Sequence, residues 1–195
     1  KGNGIVKPII NGLHSSRIIM INNGVRMQDQ EWGKEHAPNI DVNSVGRLTL
    51  VKSASALQYG GDAMGGIIIA EGLKTAVKDS LYGKTIVTAA SNGRGGGVTS
   101  QLTKSFKNGW YSTVQGTLKR FGDVESADYI LSNTGLMEKD LSFRLGLNRF
   151  DYGLEGYYSY YNTTIGILRS SHAANASSQI RAINSNEPLI IRNFT

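Results

Sequence analysis

Ser53-Ala-Ser-Ala-Leu-Gln-Tyr-Gly-Gly-Asp-Ala-Met-Gly-Gly-Ile67 is the stretch on which the reading of this chain turns. Small residues dominate it. Gly60, Gly61, Gly65 and Gly66 come as two pairs within seven residues, and an apolar run, Ile67-Ile68-Ile69, follows at once. Glycine reaches backbone angles closed to other residues and lets neighbouring chain approach closely. The stretch is therefore expected to be a tightly folded turn packed against something, with Ser53 to Leu57 beginning a short helix, and not an ordinary surface loop.

Upstream of it the chain reads as mixed strands and turns. Arg17-Ile-Ile-Met-Ile-Asn-Asn-Gly-Val-Arg26 is almost continuously apolar until Asn23-Gly24. An unbroken apolar run suits a strand buried on both faces, and Asn-Gly is a strong hairpin signal. Val45-Gly-Arg-Leu-Thr-Leu-Val-Lys52 alternates, with Val45, Arg47, Thr49 and Val51 on one face and Leu48 and Leu50 on the other. A polar loop, Gln28-Asp-Gln-Glu-Trp-Gly-Lys-Glu-His-Ala-Pro-Asn39, lies between.

Downstream, from about residue 80, period two takes over. Leu141, Phe143, Leu145 and Leu147 oppose Ser142, Arg144, Gly146 and Asn148 without a fault. Val114 and Leu118 oppose Thr113, Gln115, Thr117 and Lys119; Val98, Leu102 and Phe106 share a face with Ser100 and Lys104. Leu154, Tyr158 and Tyr160 oppose Glu155, Tyr157 and Ser159. Short turns at Asn92–Gly96, Lys107–Gly109 and Phe150–Gly153 and a longer polar stretch, Gly122–Glu138, separate the segments. Such segments run roughly 9–13 residues, enough for a tilted strand to cross a bilayer at ~9–11, whereas strands of soluble proteins average ~5–6. Trp110, Tyr111, Phe121, Phe150, Tyr152 and Tyr157 to Tyr161 are expected near segment ends, as in the aromatic girdles of membrane barrels. A soluble β-sandwich also alternates, but it would need a second apolar sheet. After Asn162 alternation stops, and a long loop with a short helix near Ala176 to Ile183 is expected.

Composition bounds the remaining classes. The 195 residues are 39% hydrophobic with 24 glycines and three prolines, too apolar for disorder and too glycine-rich for a helical bundle. Cysteine is absent, so no disulfide framework or thiolate metal site can be built. No apolar run approaches the ~18–20 residues of a membrane helix. The net charge of +6 is spread along the chain with no basic run longer than two, which argues against a nucleic-acid footprint.

Five segments in order resemble the plug domain of TonB-dependent outer-membrane receptors. Pro8-Ile-Ile-Asn-Gly12 is similar to the family's Pro-x-Ile-Arg-Gly, and Arg17 to Arg26 to its Arg-x-x-x-x-Ile-Asp-Gly-Val-Arg. Trp32-Gly-Lys-Glu-His36, with Asp41 beyond, resembles receptors of Bacteroidetes type. Val45 to Lys52 is similar to Ile-Glu-Arg-Ile-Glu-Val-x-Lys/Arg, and Ser55 to Ile67 to Ala-Ser-x-Leu-Tyr-Gly-x-x-Ala-x-Gly-Gly-Val. Asn11, Thr49 and Ala54 depart from the pattern, standing where the family has Arg, an acid and Pro.

The resemblance implies a plug of mixed α/β type over residues 1–72, then, over 73–195, the first strands and a long loop of a transmembrane β-barrel. The family's barrel has 22 strands, of which about five are expected here, so the chain would be an internal piece of a longer receptor. The implied function is active import: an external substrate such as an iron complex, haem or cobalamin binds, and an inner-membrane TonB complex supplies energy through the plug. TonB, outer-membrane lipid and the substrate are the implied partners, without cofactor or catalysis. Arg47 is the implied plug–barrel contact, since family plug arginines pair with barrel acids. Plug loops facing outward touch substrate in the family, so Arg26, Trp32, Lys34 and His36 become the substrate-binding candidates. Trp32 could instead pack the plug against the barrel wall. Gly60, Gly65 and Gly66 are assigned to backbone geometry.

Two other chemistries are weaker. Gly93-Arg-Gly-Gly-Gly97 is glycine-rich but lacks the Lys-Ser/Thr and following helix of a phosphate loop, so a turn between strands is expected. His36 with Glu35 and Asp41 lacks the spacing of a known metal site. No nucleophile, base and orienting acid can be assembled. A soluble β-rich binding module is the alternative, distinguished by whether the protein needs detergent.

Overall fold

In a computed structural model the described residues are 8–28, 39–61, 63–73, 75, 78–168, 175–187 and 194. They form two sheets joined through residues 72–79, with a two-stranded hairpin at one end of the larger.

The first sheet has four strands: β1 (Ile18–Asn22), β2 (Val25–Met27), β3 (Arg47–Val51) and β4 (Gly66–Glu71), in the order β2-β1-β4-β3. Asn23 and Gly24, at φ 47° and 80°, turn the β1–β2 hairpin, the left-handed pair that a two-residue hairpin requires. β1 lies parallel to β4, with Ile18 opposite Gly66 and Asn22 opposite Ala70. That pairing explains the unbroken apolarity of both strands, because the two central strands are covered on both faces. On one side Ile19 and Ile67 pack with Ala56, Ala63 and Val51; on the other Met20 and Ala70 pack with Ile40, Met27 and Val45. Leu48 and Leu50, on the edge strand, stay exposed.

The glycine stretch is tightly packed. Ser53–Tyr59 is a 3-10 helix that ends at Gly60, φ 144°. Gly66 has φ 120°, and a Cβ there would lie 2.8 Å from the Val51 carbonyl oxygen. A Cβ on Gly65 would lie 2.9 Å from the Arg17 carbonyl, which the Gly65 N–H already reaches at 2.7 Å. Both glycines thus sit where the chain passes against β1 and β3 with no room for a side chain. Helix in this part is limited, among the described residues, to three short 3-10 turns, so the α component of the expected α/β plug is not seen there.

The second sheet is a five-stranded antiparallel meander: β5 (Ser80–Ala90), β6 (Gly95–Ser105), β7 (Trp110–Phe121), β10 (Leu136–Asn148) and β11 (Gly153–Ile165), in the order β11-β10-β7-β6-β5. The small hairpin β8 (Val124–Glu125) and β9 (Ile130–Leu131) lies between β7 and β10. Among the described residues the sheet is open at both edges. Strands of 11 to 13 residues match the alternating segments, and β11 runs to Ile165, three residues past the point where alternation weakens. Alternation continues there through Thr and Asn, which hydropathy does not register.

Register decides the two faces. Leu102, Val114, Phe143 and Tyr158 stand side by side across four strands, and all are exposed. Val98, Leu118, Leu141, Leu145 and Tyr160 share this outer face and its exposure. The inner face holds Thr99, Thr103, Ser105, Gln115, Thr117 and Glu138, all buried. The sheet is therefore polar inside and apolar outside, the inverse of a soluble half-buried sheet. The expected aromatic girdle is only partly seen. Tyr157 to Tyr161 fall in mid-strand because β11 begins at Gly153; Tyr158 and Tyr160 point outward, while Tyr157 and Tyr161 point inward.

Helix α1 (Ala176–Ile183) follows, its N-cap Asn175 accepting from the Ser178 N–H. No helix among the described residues is long and apolar enough to cross a membrane, which says nothing of strands.

Candidate functional site

The two sheets meet along the polar face of the larger one, which acts as a wall. Two anchors from the small sheet hold it there.

The first anchor is Asp41. It caps the 3-10 turn Val42–Ser44, its Oδ1 accepting from the Asn43 N–H at 3.0 Å. Its Oδ2 accepts from Gln115 Nε2 at 2.8 Å and from the Thr117 hydroxyl at 2.6 Å. Both partners are on β7, and all three residues are buried. The Thr117 and Thr99 hydroxyls are 3.0 Å apart, and Thr99 accepts from Asn43 Nδ2 at 3.0 Å. Each threonine has one proton. The consistent direction runs Asn43 to Thr99, Thr99 to Thr117 and Thr117 to the carboxylate. Lys119, Glu138 and Asp140 lie alongside. Lys119 Nζ is 2.5 Å from Glu138 and 3.9 Å from Asp41; Tyr161 donates to Glu138 at 3.4 Å.

The second anchor is Asn23, in the hairpin turn. Arg144 of β10 donates to its Oδ1, which also accepts from the Gly72 N–H at 3.0 Å. The guanidinium packs where a Cβ on Gly72 would stand. Arg144 also pairs with Glu155 at 3.5 Å and lies 5.2 Å from the Tyr157 ring centre, and Tyr111 donates to Glu155. Asn23, Arg144, Glu155 and Tyr111, together with Arg47 and Glu71, line a cavity of about 550 Å³ between the small sheet and the wall.

The sequence candidates are distributed unevenly over this geometry. Among the described residues Arg47, expected to contact a barrel acid, pairs within its own sheet. It stands opposite Glu71 on β4 and pairs with it at 4.0 Å, both exposed, so its partner belongs to the same sheet. Charge crosses the interface the other way, from an acid of the small sheet and an arginine of the wall. Arg26 lies in β2 opposite Ile21, exposed. Trp32, Lys34 and His36 lie outside the described residues. Gly60, Gly65 and Gly66 hold backbone turns away from the wall. Asp41 was visible in sequence only as a companion of His36. Its role as an anchor depends on Gln115 and Thr117, more than 70 residues away. The inward parity of Arg144, Gln115 and Thr117 was legible; their partners were not.

A family model described as TonB-dependent Receptor Plug Domain matches residues 1–67. The N-terminal third of this chain is a TonB-dependent receptor plug domain. The match supports a TonB-dependent receptor fragment, and the wall against which the plug docks is the sheet that follows it. No curated protein matches the chain. The plug's matched segment ends at Ile67, within β4. The plug sheet runs four residues further, to Glu71, and β5 starts the wall nine residues after β4 ends.

Proposed function

We propose that this chain is part of an outer-membrane active transporter, with the five-stranded sheet as the first part of its barrel. The observation that carries this reading is the pairing of faces. A plug domain docks by polar groups on the inner face of a sheet whose outer face is apolar and exposed. In water such an outer face costs free energy at roughly 25 cal/mol per Å²; in lipid it does not.

Loop lengths suggest the orientation. One end of the sheet carries the tight turns 106–109 and 149–152 and the entry from β4, while the other carries the tight turn 91–94, the longer 122–135 connection and the segment after Ile165. Membrane barrels keep short turns on the periplasmic side and long loops outside. Asp41, at the end of the Arg26–Asp41 loop, docks near Thr117 and Lys119, closer to the long-loop end of β7. This supports an external position for that loop. Arg26, Trp32, Lys34 and His36 are then the groups that bind substrate, Trp32 by stacking and the others by charge or hydrogen bonding. The substrate is an iron complex, haem, cobalamin or a similar compound too large for passive pores, and energy comes from an inner-membrane TonB complex.

The test is uptake by cells expressing the intact receptor. Radiolabelled iron chelates, haem and cobalamin are offered with and without a protonophore. Energy-dependent uptake of one of them, lost on deletion of residues 26–41, is expected. If the intact protein is recovered from the soluble fraction without detergent, the soluble binding module is correct instead.

A further inference from the structure

Three carboxylates, Asp41 of the plug and Glu138 and Asp140 of β10, place ligand oxygens within 4.8 Å of one another. Among the described residues Lys119 is the cation paired with this cluster, engaged by Glu138 and Asp41. Three carboxyl groups facing one ammonium group need either a shared proton or a further cation, because unpaired negative charge is penalised strongly in a low-dielectric interior.

A second observation, independent of the acids, points the same way. Gln115 is 3% exposed. Its amide nitrogen is spent on Asp41, and its Oε1 is buried without a hydrogen-bond partner. Both carboxylate oxygens of Asp140 are likewise buried and meet no N–H or hydroxyl donor, with the Glu138 carboxyl beside them. Gln115, Asp41 and Asp140 line one cavity of about 30 Å³, room for a single water or a dehydrated ion. Glu138 stands beside that cavity; buried acceptors along one small space call for a donor or a positive charge. The ligand atoms that these side chains offer are oxygens, three of them from carboxylates. That set suits Ca²⁺, which takes oxygen ligands in flexible geometry, better than Mg²⁺.

We propose that Asp41, Glu138, Asp140 and the Gln115 carbonyl form a Ca²⁺ site bridging the plug to the barrel wall. Because Asp41 is the plug's anchor, the ion would tie plug docking to external calcium.

The experiment uses the intact receptor, purified in detergent and stripped with chelator. Isothermal titration with CaCl2 should show one saturable equivalent, with MgCl2 at least tenfold weaker. Asp140→Asn should weaken Ca²⁺ binding at least tenfold, and Lys119→Met should preserve or tighten it. In the native protein, Ca²⁺ should slow protease cleavage within the plug and chelator should restore it. Where Asp140→Asn does not fold, Gln115→Met removes the neutral ligand oxygen and should weaken binding. Absence of saturable Ca²⁺ binding would overturn the proposal, as would unchanged affinity in both the Asp140 and Gln115 variants, which would put the ion elsewhere. Energy-dependent uptake by a receptor that binds no Ca²⁺ would overturn this site alone and leave the transport reading standing.

Discussion

Phe143→Arg tests the assignment of the sheet's two faces most directly. Phe143 is exposed on the outer face between Val114 and Tyr158. Along β10 the outward apolar positions begin after Lys139 and extend to Leu147. Eight residues at ~3.4 Å span about 27 Å along the strand. A tilt of ~40° reduces this to a height of about 21 Å, close to the ~25 Å apolar band of outer-membrane barrels. Phe143 is four residues from either limit and so about 10 Å from each rim. An arginine there meets the bilayer midplane, where the cost is ~2–4 kcal/mol. The same substitution at Leu147, beside Trp110, lies at a rim and should cost only ~0–1 kcal/mol. Both variants of the intact receptor would be unfolded reversibly by guanidinium from lipid vesicles, and the free energies extrapolated to zero denaturant. A loss of ~3 kcal/mol at 143 against less than ~1 at 147 is the expected depth gradient. Equal and small effects, within ~0.5 kcal/mol as at ordinary water-facing sites, would show that this face never meets lipid.

Gly66→Val places a β-branched side chain at φ 120° against the Val51 carbonyl, and should destabilise the plug by ~1–3 kcal/mol, read as a lowered plug unfolding midpoint in calorimetry. A neutral result would show that the turn relaxes freely. Asp41→Ala strips a buried charged acceptor from Gln115 and Thr117; on the order of 2–3 kcal/mol of docking energy should go with it. Faster amide exchange around residues 41–45 would report that loss, and unchanged exchange would remove Asp41 as an anchor. Trp32→Ala should weaken substrate binding by ~1–3 kcal/mol if Trp32 is a stacking anchor, measured by equilibrium binding in detergent. Unaltered affinity combined with loss of the barrel's heat-resistant gel mobility would make Trp32 a packing residue.

The strands of the wall were legible because each carries its face in the identity of every second residue. Leu141 to Asn148 is the clearest case: no tertiary information is needed to place Phe143 outward and Arg144 inward. The hairpin at Asn23-Gly24 was equally local. What sequence could not show was non-local pairing. Nothing in Ile18–Asn22 announces that it lies beside Gly66–Glu71, 48 residues later. Asp41 looked like part of a loop because its partners, Gln115 and Thr117, belong to another sheet. The family pattern suggested an arginine on the plug and an acid on the barrel. Here Arg47 has a nearer acid, Glu71, directly opposite on β4, and the wall contributes its own arginine. Glu138 and Asp140 were hidden by their position at the end of a polar stretch that resembles a loop until Leu141.

The parallel lie of β1 beside β4 has a mechanical meaning. Tension drawn between the chain before Ile18 and the chain after Glu71 enters β1 at one end of the sheet and leaves β4 at the other. The pull then runs along the strands and across their hydrogen bonds, so the five paired positions from Ile18–Gly66 to Asn22–Ala70 share the load together. An antiparallel pair loaded at one end would open one bond at a time. Among the described residues ahead of β1, the bond from the Gly65 N–H to the Arg17 carbonyl ties the backbone to the neighbouring chain, while the Ile10–Leu13 bridge is internal to that stretch. A tug from the periplasmic side would strip that leader first and then stall at the β1–β4 ladder, handing the remaining force to whatever moors the plug to the wall. Single-molecule extension of the intact receptor from its N-terminal side should show this as a small early release followed by a distinct, stronger peak. A smooth, peakless extension through residues 18–71 would mean that the ladder bears no load.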